Sequence, residues 1–339
     1  MPIRRRAEVD GGTPQLADSR RLRGGIDLGG TKIEALVLDD AHAVVGRARA
    51  ETPREGGPPA VAEALATTMH EALGIAGVAA EHLAGVGVGS PGVVDDAAGT
   101  VADAGNLPDW IAPYPLAAEL SQRLAGVRVR LGNDVSVAVD AERLLGAASD
   151  RRNVLGVWWG TGVGGGLVIN GELFHGRGFG GEFGHTVVRR GGALCGCGNR
   201  GCVEAYAGRK FMEAWVHTKV AEGHETSLFK LMSRHEKDRL TSGIWERGVT
   251  SYDPLALHAM ERALRAIGAG IASAVNLLDL EAVVLGGGMG ERFFATHGPR
   301  IEQYVHMNLF RPSAPPQLLP TKLGDDGGAI GASLLVRAA

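Results

Sequence analysis

The chain has 339 residues, 45% hydrophobic and 22% charged, with a formal net charge of −3. That length allows two lobes with separate cores, and the faintly acidic balance excludes the broad basic field that holds a nucleic-acid backbone or an anionic membrane, leaving a small-molecule partner. Its three cysteines cannot pair completely and fall within eight residues, which suits a reducing, cytoplasmic compartment and a metal better than a disulfide framework.

Residues 1–23, MPIRRRAEVDGGTPQLADSRRLR, mix arginines with Glu8, Asp10 and Asp18 and lack the apolar stretch of a secretion signal. A disordered tail is expected there. The following GGIDLGGTKIEALVLDDAHAVVGRARAE alternates apolar runs with turn residues and predicts three successive antiparallel strands. Val61, Leu65, Met69 and Leu73 recur every four residues and predict an amphipathic helix. Ala84 to Gly89 and Val127 to Leu131 read as buried strands, and the residues after Asp134 as a helix reaching Leu145. A loop at Ser149 to Asn153 marks a candidate lobe boundary.

From Gly156, GVWWGTGVGGGLVIN repeats the strand, glycine turn, strand rhythm of GIDLGGTKIEALVLD from Gly25, which suggests either a duplicated lobe or two unrelated glycine hairpins. The stretch from Leu155 to Asn170 is the longest nearly uncharged one, but its six glycines favour paired strands over a membrane span. Residues 215–252 carry helical spacing and many charges without a motif, and a solvated helical pair is expected. Met260, Leu264, Ile267, Ile271, Val275 and Leu278 predict a long helix, followed by the strand and glycine turn of EAVVLGGGMG.

Three glycine-rich turns follow apolar strands: Gly29-Gly30-Thr31-Lys32, Gly160-Thr161-Gly162 and Gly286-Gly287-Gly288. Each alone reads as an ordinary hairpin turn. Together they provide three places where backbone N–H groups approach anionic oxygens with no intervening side chain. Asp27 places a carboxylate between Ile26 and Leu28, where it makes sense facing Mg²⁺ on nucleotide phosphates. There is neither a GxxxxGK[ST] loop nor a helix-opening GxGxxG, so the P-loop and Rossmann arrangements recede.

Asn133 and Asp134 follow the strand VRVRL and precede a helix, which by position alone is a capping pair, with Ser136 able to share that role. Beside the glycine turns, Asp134 is also the carboxylate that a phosphoryl-transfer enzyme needs to take the proton of an attacking hydroxyl. His185 with Cys195, Cys197 and Cys202 spells H-x9-C-x-C-x4-C, a closed tetrahedral set for structural Zn²⁺. Gly196, Gly198 and Gly201 leave little side-chain bulk for a core, so the metal is expected to order the loop. Glu182 and Glu204 flank it, each by itself an ordinary surface charge.

The segments GIDLGGTKIEA, GVGSPGVVD, NLPDW, LGNDVSVAVDAE, GTGVGGGLVINGEL, GGEFGHTVV, CGCGNRGCVEAYAG and AVVLGGG, in this order, resemble the ROK family of bacterial sugar kinases and sugar-responsive repressors over most of the chain from about Gly24. The resemblance implies an α/β actin-like, ribonuclease-H-like ATPase fold with a duplicated core. Its N-terminal lobe would span 24–148, completed by a helix near 325–339, and its C-terminal lobe 149–324, with the zinc loop. It assigns Asp134 as catalytic base, and Asn106, Asn133, Asp134, Glu182, His185 and Glu204 to sugar hydroxyls. His185 would serve both zinc and sugar. Gly29, Gly30, Thr31 and Lys32, with Thr161 and Gly162, would face phosphates, and Gly287 and Gly288 the nucleoside.

The implied activity is transfer of the γ-phosphoryl group of MgATP to a hexose hydroxyl, with C6 of glucose the first choice. Fructose, mannose and N-acetylhexosamines are alternatives, and polyphosphate an alternative donor. A homodimer or homotetramer is implied. A sugar-responsive repressor would need a DNA-binding domain ahead of the first lobe, where only about 23 mostly polar residues stand. A non-catalytic sugar sensor is disfavoured by the presence of both Asp27 and Asp134.

Overall fold

The computed structural model describes residues 22–337. Two five-stranded sheets organise the chain. In the first, β1 (Arg23–Leu28), β2 (Lys32–Leu38) and β3 (Val44–Glu51) form an antiparallel meander. Then β4 (Val86–Ser90) pairs parallel to β1, and β7 (Val129–Asn133) parallel to β4, in the order β3-β2-β1-β4-β7. A small hairpin, β5 (Val93–Asp95) and β6 (Thr100–Ala102), stands apart.

The second sheet repeats the plan, with β8 (Val154–Trp159), β9 (Val163–Ile169) and β10 (Glu172–Leu173) antiparallel, and β11 (Ala282–Gly286) and β12 (Gln317–Pro320) adding in parallel. Its order, β10-β9-β8-β11-β12, places each strand where the first sheet places its counterpart. The shared rhythm of the two halves therefore reflects a duplicated architecture rather than two unrelated hairpins.

Helix α1 (Gly57–Ala76) carries proline in its first turn and ends at Gly77, whose φ of 69° admits a left-handed cap. Its predicted face, Val61, Leu65, Met69 and Leu73, is buried together with residues of β1 and β2 and with α2 (Leu116–Arg123). The opposite face of the first sheet is covered by α3 (Asp134–Leu144) and by the C-terminal helix α10 (Gly327–Leu334). The approach of α10 is backbone on backbone, since a Cβ on Gly87 would lie 1.8 Å from the carbonyl oxygen of Ala332. Only glycine fits such a contact.

Helix α3 touches both sheets. Ala141 packs with Leu36, Leu38 and α10, whereas Val139 packs with Val154, Val168 and Val284 of the second sheet. The large second core gathers α4 (Glu204–Ala207), α5 (Arg209–Ala221), α6 (Leu228–Arg234), α7 (Ser242–Thr250), α8 (Pro254–Leu278) and α9 (Gly287–Asn308). The predicted long helix is α8, and only Leu278 of its marked residues remains partly exposed, at 36%.

Two expectations change. Nearly all of the expected tail lies outside the described residues, but Leu22 accepts a hydrogen bond from the Ala84 N–H and Arg23 opens β1, so order begins slightly earlier than Gly24. Residues 215–252 are not a solvated helical pair. They contain the end of α5 and all of α6 and α7, and Leu228, Leu240, Ile244 and Trp245 are fully buried in the second core. Charges on the outer faces conceal that apolar stripe in a composition-based reading. No helix among the described residues is long and apolar enough to cross a membrane.

Candidate active site and metal centre

The C-terminal ends of β1, β4 and β7 carry Asp27, Ser90 and Asn133 side by side, through the register pairs Asp27 with Gly89 and Ser90 with Asn133. Asn133 caps α3, its Oδ1 accepting the Ser136 N–H at 3.1 Å. The capping reading thus holds for Asn133, with Ser136 as donor rather than co-cap. Asp134 is the first residue of the helix, and its Oδ1 accepts the adjacent Val135 N–H at 2.9 Å.

Burial pushes the Asp134 carboxyl up to about 6, against the pull of its backbone hydrogen bonds, and the charge of Glu182 adds to the rise. Asp27 is pushed up to about 7, by burial first and by the charge of Asp134 second, with Lys32 pulling the other way. A Cβ on Gly328 would meet the Asp27 carboxyl at 2.6 Å, so the start of α10 closes one side of this acid. A buried carboxylate pair of this kind suits a cation arriving with an anionic ligand.

Next to α3, the Gly164–Gly166 stretch of β9 carries no side chains. A Cβ on Gly164 would strike Val135 of α3 at 2.7 Å, while one on Gly165 would strike the Gly181 carbonyl oxygen at 2.4 Å. Helix α3 and the Gly181–Phe183 loop therefore press on opposite faces of one bare strand. This spacing function of the GVGGG run is not apparent from the sequence, where its glycines read only as part of a hairpin.

The first two glycine turns are hairpin turns, as expected. Gly29 N–H donates to Lys32 O at 2.9 Å, and Gly160 N–H to Gly162 O at 2.9 Å. The third differs: Gly286 ends β11 and Gly287, at φ 78°, opens α9, so it is a strand-to-helix turn without a GxGxxG pattern. Gly288 has open space where a side chain would stand. Asn106 is exposed on a loop fixed by the Trp110 indole donating to Val101 O at 2.9 Å, and its side-chain nitrogen would lie 3.0 Å from a Cβ on Gly30. Lys32 pairs with Asp325 at 3.3 Å, and exposed Thr31 accepts the Thr52 N–H at its carbonyl.

His185, Cys195, Cys197 and Cys202 offer ligand atoms all within 4.8 Å of one another. Cys197 Sγ and Cys202 Sγ are 3.8 Å apart, and His185 Nδ1 and Cys195 Sγ 3.7 Å. Tetrahedral bonds of about 2.0–2.3 Å leave ligand atoms roughly 3.4–3.8 Å apart, so the donor set fits Zn²⁺ with no room for a catalytic water. The other ring nitrogen of His185, Nε2, lies 3.9 Å from Glu182 Oε2. One imidazole therefore faces thiolates on one edge and a cleft carboxylate on the other.

The cysteine loop is less empty than its glycines suggest, because Cys195, Cys202 and Val203 are buried in the second core. Glu204 is not a free surface charge either. Its Oε2 accepts the Val163 N–H at 3.0 Å, and its Oε1 lies 3.8 Å from Cys195 Sγ. Gly162 leaves the room, since a Cβ there would fall 2.2 Å from that Oε2. Glu204 thus joins the second glycine turn to the cysteine cluster.

A family model described as ROK matches residues 23–339. The chain belongs to the ROK family. It is 30% identical to a glucokinase of Thermotoga maritima over 92% of this chain and 96% of that one, and 32% identical to an N-acetylmannosamine kinase of Haemophilus influenzae over 92% and 94%. Among solved structures, a ROK glucokinase from Streptomyces griseus in complex with glucose and AMPPNP superposes with a TM-score of 0.77 at 31% identity, over 93% of this chain and 98% of that chain. The actin-like duplicated fold expected from the resemblance is the fold of this ROK protein.

Proposed function

We propose that this ROK protein is an ATP-dependent hexose kinase that transfers the γ-phosphoryl group of MgATP to a sugar hydroxyl, with C6 of glucose as the first candidate acceptor. The observation that carries the reading is Asp134: a buried carboxylate of raised pKa at the start of a helix packed on both sheets, within the field of Glu182. Above pH 6 it is ionised and placed to accept a proton. The sugar oxygen bonds to the γ-phosphorus, its proton passes to Asp134, and the bond from phosphorus to the β–γ bridging oxygen breaks, releasing ADP.

Asn106, Asn133, Glu182, His185 and Glu204 are assigned to sugar hydroxyls, for which they offer amide, carboxylate and imidazole partners. In Glu204, Oε2 is already engaged by Val163, which leaves Oε1 for such a bond. Gly29, Gly30, Thr31, Lys32, Thr161 and Gly162 are assigned to the phosphates, and Gly287 and Gly288 to the nucleoside. Mg²⁺ bound with the nucleotide would neutralise phosphate charge on the Asp27 side of the cleft. Zinc held by His185, Cys195, Cys197 and Cys202 would fix the His185 ring, its Nε2 directed at substrate.

Two lobes, 24–148 with α10 and 149–324, would close on both substrates and exclude water, suppressing ATP hydrolysis. A cytoplasmic location and a homodimer or homotetramer accompany this reading. Phosphorylation of an N-acetylhexosamine is the second reading, favoured by the Haemophilus influenzae relative, whose 32% identity is no lower than the 30% of the Thermotoga maritima glucokinase.

An ADP-release assay with MgATP across glucose, mannose, fructose and the two N-acetylhexosamines tests the proposal, with Asp134→Ala as control. A preferred sugar whose turnover vanishes in the variant is the expected result. Equal turnover by the variant overturns the assignment of Asp134, and silence with every sugar overturns the hexose-kinase reading.

A further inference from the structure

The two hairpin glycine turns occupy equivalent places in the duplicated sheets, yet they are braced differently. Thr52 braces the first with neutral groups, its N–H donating to Thr31 O at 3.2 Å and its hydroxyl to Gly29 O at 2.7 Å. The start of α5 braces the second: Arg209 N–H donates to Gly160 O and Lys210 N–H to Thr161 O, each at 3.1 Å. A cationic side chain is added there. Arg209 Nη2 donates to Thr161 Oγ1 at 2.8 Å, on the solvent-facing side, and Nη1 donates to Leu240 O at 3.3 Å.

The state of that charge sets Arg209 apart from the other cations near the turns. Lys32 is paired with Asp325, Arg47 with Glu34 and Asp326, and Arg49 with Glu34. Lys210 lies over the Phe211 ring on the surface. Arg209 is half-buried, and among the described residues it hydrogen-bonds only neutral acceptors; Glu213 and Asp238 act on it through charge alone and Arg239 opposes them. A guanidinium has five N–H donors in a planar fork suited to phosphate oxygens, and two of the nitrogens here already hold it in place.

We propose that Arg209 binds the terminal phosphates of the phosphoryl donor and orients the Thr161 hydroxyl toward them, an inference that rests on the kinase reading of the same cleft. Burial first, and Arg239 second, make its charge costly. An anion arriving at Thr161 removes that cost, so the residue is organised for a ligand of opposite sign. Its place in the first turn of α5 adds the positive end of the helix dipole to the same spot. The sequence signal was the GRK that follows EAYA, which carries no recognisable motif by itself.

The test compares full-length wild type, Arg209→Met and Arg209→Lys. Titration calorimetry with MgAMPPNP is expected to show affinity reduced about tenfold or more in the methionine variant and partly recovered by lysine. The KM for ATP should rise in parallel, while the KM for sugar stays within about twofold and the melting midpoint of the unliganded protein is unchanged. Wild-type affinity for MgAMPPNP in Arg209→Met overturns the proposal, as does equal weakening of sugar and nucleotide with a lowered midpoint, which marks a purely structural brace. Should wild type bind MgAMPPNP more tightly than the variant yet phosphorylate no sugar, the phosphate assignment stands and the hexose-kinase reading falls.

Discussion

Asp27, desolvated at the end of its strand, titrates at about 7, and Asp134 is the charged neighbour that lifts it furthest. Two carboxylates from different strand ends of one sheet are thus held where neither ionises at its ordinary pKa. Such arrangements destabilise the unliganded fold and are relieved by a cation and a substrate.

The pH dependence follows with a definite sign. Asp134 has a folded pKa of about 6, above its unfolded value of 3.8, so the stability carried by its neutral form is present at acid pH and lost as pH rises through 6. Asp134→Asn is therefore expected to melt higher than wild type at pH 8, by roughly 2–4 °C, with the difference closing by pH 4. Turnover by the same variant should fall by about 10³-fold or more with sugar binding retained, and wild-type kcat/KM should rise with pH up to about 6. Scanning calorimetry at the two pH values and a pH–rate profile check both halves.

Zinc should be stoichiometric in the purified protein. Cys197→Ser, or a strong chelator, is expected to release it, lower the melting midpoint and raise the KM for sugar, because His185 then loses the partner that orients its ring. Metal analysis of the wild type comes first; its absence there would remove the coupling between loop and sugar.

Gly165→Ala probes the bare strand. Its Cβ would sit 2.4 Å from the Gly181 carbonyl oxygen and 2.5 Å from Phe183 Cβ, so the loop bearing Glu182 must move. A rise in the KM for sugar of about tenfold is expected, with a smaller change in the KM for ATP, measured by steady-state kinetics.

Glu142 is a buried acid of α3 whose Oε1 accepts the N–H groups of Lys322 and Leu323, at 2.9 and 2.8 Å, and whose Oε2 accepts that of Ala147 at 2.7 Å. It ties the helix carrying Asp134 to the segment leading into α10. Glu142→Ala removes a buried acid and the acceptor of three N–H groups, and a loss of about 2 kcal/mol or more in unfolding free energy is expected from denaturant titration.

Much of this protein was legible in the amino-acid order. Local patterning marked the β1–β3 meander, the faces of α1 and α8 and the repeated strand–turn–strand rhythm, because alternation and helical spacing record which side of each element meets a core. The H-x9-C-x-C-x4-C spacing marked the metal cluster, because few other chemistries assemble those ligands so closely. Only the tertiary structure decided how distant segments serve one cleft. That Gly164 and Gly165 admit α3 and the loop bearing Glu182 to opposite faces of β9, that Glu204 links Val163 to Cys195, that Arg209 braces Thr161, and that charged residues 215–252 hide a buried stripe all depend on contacts between residues remote in the chain. A glycine's value in particular lies in the backbone or side chain that comes to rest against it, and the sequence does not name that neighbour.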